Sequence, residues 1–239
     1  MMSSLQKQTT DLVNRLNGQL TGQLVSVILY GSAAMEDWQA NTSDINVLCV
    51  VDQLSASELR RCEPVFQWWK GLGNPAPLLL TIEEVHTSTD CFPMEFHDMR
   101  DHRRVLHGMD VIGDLNIDWC FYRAEVEHEL RAKLIRLRQK AAEALSAPPR
   151  LLKLLADSLS TFCVLGRHAL VLSGAAPKYK KAEIIAALEE RLQSPMEGAA
   201  QILSLRTGNP GAGINATMLF EKYLSEMEAL VRFVDGLDK

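Results

Sequence analysis

The sequence predicts an α+β fold, in which a small mixed β-sheet domain is followed by an all-α helical bundle. In the first half, apolar segments bounded by turn residues alternate with amphipathic segments, whereas only long helical patterns follow. We place the boundary at the change of pattern, which gives one domain over 1–118 and a second over 119–239. A chain of 239 residues with 47% hydrophobic content is sufficient for two separate cores.

Two helices and four strands are predicted in the first domain. Leucines at helical spacing predict a helix over 4–19, and a second helix is expected over 55–72 with a kink or a restart at Pro64. Short β-branched or alternating segments predict strands over 24–32, 44–52, 77–82 and 92–99. The strand over 92–99 would place Glu95 and His97 on one face, because side chains alternate along a strand.

Only helices are predicted after residue 118, separated by proline and glycine. They are expected over 119–145, 150–172, 179–193, 195–205 and 215–236. The first of them should end before Pro148 and Pro149, because proline cannot continue a helix. The glycine-rich stretch 207–213 is expected to be a loop.

The charge of the chain is unevenly distributed. Residues 1–118 contain 8 basic and 16 acidic residues, and the remainder contains 17 basic and 14 acidic residues. This split could create a cleft between opposite potentials, or it could belong to two solvated surfaces. The overall charge of −5 argues against a protein that coats nucleic acid.

The remaining composition indicates a cytoplasmic protein. No apolar run reaches about 18 residues, so no membrane span is expected. The first residues lack the apolar stretch of a secretory signal. The five cysteines are odd in number and form no C-x-x-C pair, which favours reduced thiols over disulfides or a structural zinc site.

One segment, YGSAAMEDWQANTSDINVLCVV, carries the residues suited to chemistry. A predicted strand ends at Gly31 and Ser32, and Asp44 opens the next strand. Glycine lets a backbone approach a phosphate closely, and a serine hydroxyl with adjacent amides can hold phosphate oxygens. A carboxylate on a neighbouring strand can hold Mg²⁺ against the same phosphate. Glu95 lies among apolar residues, where a carboxylate is costly unless it is paired or bound to a metal.

This arrangement resembles the DNA polymerase β-type nucleotidyltransferase superfamily, and within it the bacterial small-molecule branch that includes the aminoglycoside nucleotidyltransferases. The resemblance implies that Gly31 and Ser32 hold the phosphates of a nucleoside triphosphate, with ATP the expected nucleotide. It also implies that Asp44 ligates Mg²⁺ and that Glu95 is a metal ligand or the base for the attacking hydroxyl. The implied reaction moves a nucleoside monophosphate to a hydroxyl-bearing acceptor and releases pyrophosphate.

Asn46 departs from the pattern of that superfamily, because an amide stands where the second acidic metal ligand is expected. An amide oxygen can ligate a hard cation, but it carries no charge. Three hypotheses stay open: an enzyme with one well-held metal, an enzyme with a changed substrate or rate, or a catalytically weakened relative. The last would be a nucleotide-binding or partner-binding protein with a regulatory or toxin-neutralising role.

A lysine cluster opens the predicted helix over 179–193, with Lys178, Lys180 and Lys181. Lysines at a helix N-terminus favour an anion, so Lys178 and Lys181 are expected to clamp the triphosphate, or else the cluster is a solvated turn. The expected partners are a nucleotide and a small-molecule acceptor whose identity the sequence leaves open. A homodimer through the helical part is expected by analogy with relatives that share such a domain.

Overall fold

The computed structural model describes residues 3–34, 45–117, 119–208 and 213–237, and for Ser32 it describes the backbone alone. The chain forms two compact units, Met1–Trp119 and Cys120–Lys239. The first unit combines a four-stranded mixed sheet with helices. The regular elements described in the second unit are all helices. The predicted α+β class is therefore confirmed.

The sheet has the strand order β3-β2-β1-β4. β1 (Leu24–Tyr30) lies between β2 (Asn46–Val51) and β4 (Arg103–Gly108) and is antiparallel to both. β3 (Leu78–Thr81) pairs with β2 in parallel. Because β1 runs against both of its neighbours, its last residue lies beside the first residues of β2 and β4.

Four helices accompany the sheet and divide its side chains between two cores. They are α1 (Ser4–Gln19), α2 (Ala56–Gly71), α3 (Ile82–Thr87) and α4 (Pro93–Asp101). α1 and α2 cover one face, where Val47 and Cys49 of β2 are buried. α3 and α4 contribute to the core on the other face, where Leu48 and Val50 are buried. This alternation follows from the two-residue period of a strand.

The predicted strand over 92–99 is wrong, because these residues form most of α4. Pro93 occupies the first helical position, where its missing N–H has no partner to lose. Phe96 and Met99, three positions apart, are both buried against the sheet, whereas Glu95 is exposed. Consecutive helical residues are about 100° apart, so Glu95 and His97 do not share a face as predicted.

The proline expectations have mixed outcomes. α2 does not restart at Pro64, because one helix continues through this exposed proline. The helix predicted over 119–145 ends before Pro148 and Pro149 as expected, at Ala142, and the two prolines form the first turn of the next helix, which begins at Pro148 and not at 150. β4 was not predicted, because this edge strand has a mixed, largely polar sequence with little burial.

The second unit is built around one long central helix. α6 (Pro148–Leu172) packs against α5 (Tyr122–Ala142), α7 (Lys181–Leu192), α8 (Glu197–Arg206) and α9 (Ala216–Asp235). Among the described helices, α6 is long and apolar enough to cross a membrane, although half of its most apolar stretch is buried within the protein. Burial at the centre of a helical unit accounts for that composition.

Helices α8 and α9 approach closely at Gly198. The buried carboxylate of Glu226 on α9 accepts hydrogen bonds from the backbone N–H groups of Gly198 and Ala199, at 2.6 and 2.8 Å. Burial raises the pKa of Glu226, and the two N–H donors act in the opposite direction. A Cβ at Gly198 would lie 2.8 Å from the backbone nitrogen of Tyr223. Glycine is therefore required at this crossing.

We expect Gly198→Ala to lower the free energy of unfolding by about 1–3 kcal/mol, because α8 must move away from α9 and loosen the Glu226 hydrogen bonds. Urea denaturation followed by circular dichroism measures the change. The matched control is Gly18→Ala in α1, where nothing lies within 4 Å of the added Cβ. That variant should gain about 0.5–1 kcal/mol. Equal midpoints for Gly198→Ala and the wild type would contradict the packing described.

Candidate functional site

A tight turn with a left-handed glycine follows directly on the end of β1. Gly31 has a φ of 72° and begins a short 3-10 helix over Gly31–Ala34. Residues with a Cβ enter this left-handed region only at a cost, so glycine suits the position. The N–H of Gly31 donates to the carbonyl of His102 at 3.1 Å, which ties the turn to the residue before β4. The sequence thus places a partly buried backbone turn at a fixed corner of the sheet.

Asn46 lies against this turn. It is the first residue of β2 and pairs with Tyr30 across the antiparallel ladder. A Cβ built at Gly31 would lie 3.5 Å from the amide nitrogen of Asn46, which shows how close that side chain is to the turn. By alternation along β2, Asn46 shares the face of Leu48 and Val50, on which α4 packs. Its amide offers one acceptor oxygen and N–H donors without charge.

Two carboxylates of α4 act on the same corner. Glu95 in the first turn is exposed, and Asp98 one turn later is half-buried. Burial raises the pKa of Tyr30, and the negative charges of Glu95 and Asp98 raise it further. Because such an effect decays with distance, both carboxylates lie within electrostatic reach of the Tyr30 hydroxyl. Glu95 and Asp98 therefore lie on the α4 side of the sheet, against which Tyr30 packs.

Sequence reasoning missed Asp98 and Tyr30. Once 93–101 is known to be helical, the three-residue spacing identifies Asp98 as the neighbour of Glu95 on the same side of α4. The strand interpretation had hidden this relation, since it placed Asp98 on the opposite face from Glu95. Tyr30 directly precedes the Gly31 turn and had been assigned to the strand alone. The relation of Tyr30 to α4 follows from the structure, in which the charges of Glu95 and Asp98 act on its hydroxyl.

The other side of α4 carries a histidine and an aromatic surface. His97 is 5% exposed, and its Nδ1 lies 3.0 Å from Nη2 of Arg100. The ring of Trp119 packs against that of His97, with 4.5 Å between the ring centroids. Trp119 itself is 52% exposed. An exposed indole that is held by a buried ring forms a rigid surface on which a planar or apolar molecule can rest.

Arg103 anchors the loop after β4. Its Nε and Nη2 donate to the carboxylate of Asp110, and Nη1 donates to the carbonyl of Arg100. Asp110 also accepts hydrogen bonds from the backbone N–H groups of Ile112 and Gly113. These bonds lower the pKa of Asp110 and raise that of Arg103. The guanidinium of Arg103 is therefore already paired with Asp110, in a contact that holds the loop after β4.

Two predicted site residues fall outside what the structure describes. Asp44 lies in the segment 35–44, and only the backbone of Ser32 is described, so their roles stay predictions. In the described part of the chain, no group of three or more His, Cys, Asp or Glu side chains could hold a metal ion. A magnesium ion bound by Glu95 would therefore need further oxygen ligands. These could come from Asn46, from Asp44 or from the phosphates of a bound nucleotide.

The lysine cluster lies at the start of α7 in the second unit. Lys180 is the N-cap residue and Lys181 is the first residue of the helix. Lys178 lines a cavity of about 370 Å³ together with Glu190, Arg191 and other residues of the same unit. Both signs of charge occur in this lining. The expectation that Lys178 and Lys181 contact a triphosphate stays a prediction.

Comparison with known proteins identifies the fold. No protein family and no curated protein matches the sequence significantly. Among solved structures, the chain is similar to the spectinomycin adenyltransferase AAD(9) from Enterococcus faecialis, determined with ATP and spectinomycin. The TM-score is 0.59 at 14% identity, covering 93% of this chain and 99% of that chain. The chain therefore shares the overall fold of that structure.

The position of Glu95 can be tested through Tyr30. We expect Glu95→Gln to lower the pKa of Tyr30, because a negative charge that opposes phenolate formation is removed. The pKa should stay above its ordinary value of 10.0, because burial is the larger cause of the shift. Ultraviolet titration measures the phenol, with a Tyr30→Phe variant to assign the signal. Glu83→Gln in α3 is the control, and an unchanged Tyr30 pKa in Glu95→Gln would contradict the geometry.

Proposed function

We propose that the chain is a nucleotidyltransferase that moves a nucleoside monophosphate from a magnesium-bound nucleoside triphosphate, ATP in the first instance, to a hydroxyl of a small-molecule acceptor. The observation that carries this proposal is the corner at the end of β1. There a left-handed glycine turn lies beside an amide, and two carboxylates act electrostatically on the adjoining Tyr30, in a chain that shares the fold of an adenyltransferase determined with ATP. Fold alone does not establish an activity, so the argument depends on these side chains.

The Gly31 turn is proposed to bind the β- and γ-phosphates. A backbone without Cβ allows phosphate oxygens to approach the N–H groups of the turn, with the Ser32 hydroxyl as an additional donor. The N–H of Gly31 already donates to His102, so the amides that follow it are the ones proposed for phosphate. Lys178 and Lys181 are proposed to contact the triphosphate as well, on the basis of their charge.

Asp44, Asn46 and Glu95 are proposed to hold the magnesium ion that accompanies the nucleotide. The donor set fits this ion, since carboxylate and amide oxygens are the ligands that Mg²⁺ takes, together with substrate phosphates. When bound, the ion would neutralise charge that develops on the phosphates. Of these three proposed ligands, the structure describes Asn46 and Glu95, and Asp44 lies outside the described residues.

Glu95 is proposed as the general base. It is exposed to solvent in the first turn of α4, where a substrate hydroxyl can reach it. In the reaction the acceptor oxygen bonds to the α-phosphorus, and the bond to the bridging oxygen breaks. Pyrophosphate leaves with that electron pair, and the hydroxyl proton passes to the Glu95 carboxylate. Asp98, one helical turn away, adds negative charge beside Tyr30 and Glu95.

The acceptor is proposed to be a cationic or hydroxyl-rich small molecule. The solved structure to which the chain is similar contains spectinomycin, which is therefore the first acceptor to test. Residues 1–118 carry 16 acidic and 8 basic residues, which favours a cationic acceptor. The indole of Trp119 offers an exposed apolar surface in the same unit for such a molecule.

Asn46 supports a second candidate function, nucleotide binding without transfer. A neutral amide reduces the ligand charge of the cation site, and affinity for a divalent ion depends on that charge. A protein of this kind would bind Mg-ATP and present it, or itself, to a partner in a regulatory or toxin-neutralising role. Turnover separates the two functions, because only the transferase releases pyrophosphate together with a nucleotidylated acceptor.

We expect Gly31→Ala to weaken ATP binding by at least about tenfold, the loss of roughly one charge-assisted hydrogen bond. Gly22→Ala is the matched control, since Gly22 has a φ of 75° and nothing within 4 Å of its added Cβ. Both variants should lose about 1–2 kcal/mol of unfolding free energy from the left-handed backbone. Calorimetric titration with Mg-ATP measures binding. Equal affinities for the two variants would remove the Gly31 turn from the proposed site.

We expect Glu95→Gln to lower turnover at least about a hundredfold, because the amide cannot accept the hydroxyl proton. Mg²⁺-dependent affinity for ATP should fall only about threefold to tenfold, because Glu95 is also proposed as one ligand of the magnesium ion. Pyrophosphate release and mass spectrometry of the acceptor measure transfer. Glu83→Gln is the matched control, because Glu83 is also an exposed acid in the first turn of a short helix. An equal loss in both variants would exclude a specific role for Glu95.

Asn46→Asp should tighten Mg²⁺-dependent ATP binding by about threefold to tenfold, because a charged ligand replaces a neutral one. Any transferase rate should rise with it. The magnesium concentration that gives half-maximal binding and rate is the measurement, and Asn46→Ala is the control without an oxygen ligand. Strong wild-type turnover that Asn46→Asp abolishes would show instead that the amide itself is required.

A further inference from the structure

A groove in the second unit lies between α5 and α6, outside the candidate site. Four residues of α5 line it, at spacings of three, one and three: Lys133, Arg136, Leu137 and Lys140. Four residues of α6 repeat the same spacing: Leu154, Asp157, Ser158 and Thr161. Such spacing selects one face of a helix. Two helices therefore present matched stripes to one cavity of about 180 Å³.

The α5 side of the groove is strongly cationic. Lys133 pairs with Glu129 at 3.1 Å, on the same helix. Arg136 and Lys140 form no ion pair within 4.0 Å with any residue that the structure describes. A row of three cations at spacings of three and four residues is unfavourable for an isolated helix, because like charges repel. An anion in the groove would relieve that repulsion.

The α6 side and the base of the groove differ in character. Leu154 supplies accessible apolar surface, and Leu137 and Met227 of α9 close the base, where they are 3% and 1% exposed. The hydroxyl of Ser158 is fixed by hydrogen bonds to the Leu155 carbonyl and the Tyr223 hydroxyl. The carboxylate of Asp157 repels an anion from the α6 side. A bound anion is therefore directed towards Arg136 and Lys140, with its apolar part on Leu154 and on the methylene groups of the cationic side chains.

We propose that this groove binds a small organic anion with an apolar body, of the class of short-chain carboxylates. The cavity holds about six water molecules at roughly 30 Å³ each, which suits a short acyl chain rather than a nucleotide. The carboxylate would accept hydrogen bonds from Arg136 and Lys140, and the chain would displace water from the apolar base. The proposal is independent of nucleotidyl transfer.

Hexanoate is the probe, added to the full chain without nucleotide and followed by amide chemical shifts in NMR spectra. We expect saturable shifts at α5 and α6 at millimolar concentration, which weaken as salt is added. Two control ligands separate the features of the probe. Hexanol has the apolar chain without the negative charge, and inorganic phosphate has the negative charge without the chain. Each should bind at least about tenfold more weakly, because one recognises only the apolar base and the other only the cations.

The test variant is Arg136→Gln with Lys140→Gln, both at exposed positions, where replacement leaves the helical packing intact. We expect it to weaken hexanoate at least about tenfold. Lys153→Gln, an exposed cation of α6 outside the groove, is the matched control and should leave the affinity unchanged. The proposal is overturned by equal affinity for hexanol and hexanoate, by equal loss in both variants, or by shifts that do not saturate.

Discussion

β1 is hydrogen-bonded along both edges and runs antiparallel to both of its partners. Its central residues are completely buried, with Ile28 facing the core shared with α4 and Leu29 the core shared with α1 and α2. A slip of one residue would exchange these faces, so the register is fixed by burial on both sides. Because the register is fixed, Asn46 meets Tyr30, and His102 receives the N–H of Gly31. The candidate site therefore depends on the packing of a single strand.

α4 connects that core to the chemistry of the corner. Phe96 and Met99 hold the helix on the sheet, and the same turns carry Glu95 and Asp98. A carboxylate on a packed helix keeps a better defined position than one on a loop. The strand interpretation of 92–99 failed because Met94 and Phe96 are two residues apart and imitate an alternating strand. The helical period appears only between Phe96 and Met99, and Pro93 followed by an acid was the stronger signal.

The sequence was sufficient to predict the elements whose own residues show a strong apolar period. It was insufficient to predict elements that form only because a neighbouring element pairs with them. β1 and α6 are buried, so their own residues identify them. β4 is an edge strand that is stabilised by its hydrogen bonds to β1, and its own sequence shows little apolar alternation. The same distinction applies to the site. Gly31 and Asn46 could be selected from spacing alone. Asp98 depends on the helical state of 93–101, which the sequence analysis did not predict, and Trp119 is brought to His97 of α4 by tertiary packing.

The electrostatics of the corner give a physical reason for an amide at position 46. Burial raises the pKa of Tyr30, and the negative charges of Glu95 and Asp98 raise it further, so two negative charges already act on the last residue of β1. An aspartate at position 46 would add a third charge beside them, and such repulsion is relieved only when a cation is present. A neutral Asn46 therefore favours the folded unit without a metal, and it would weaken the proposed magnesium site by the same charge. At position 46, a residue that stabilises the fold in the absence of a cation thus lowers the affinity of the proposed site for a cation. The amide in this sequence favours the stability of the cation-free fold.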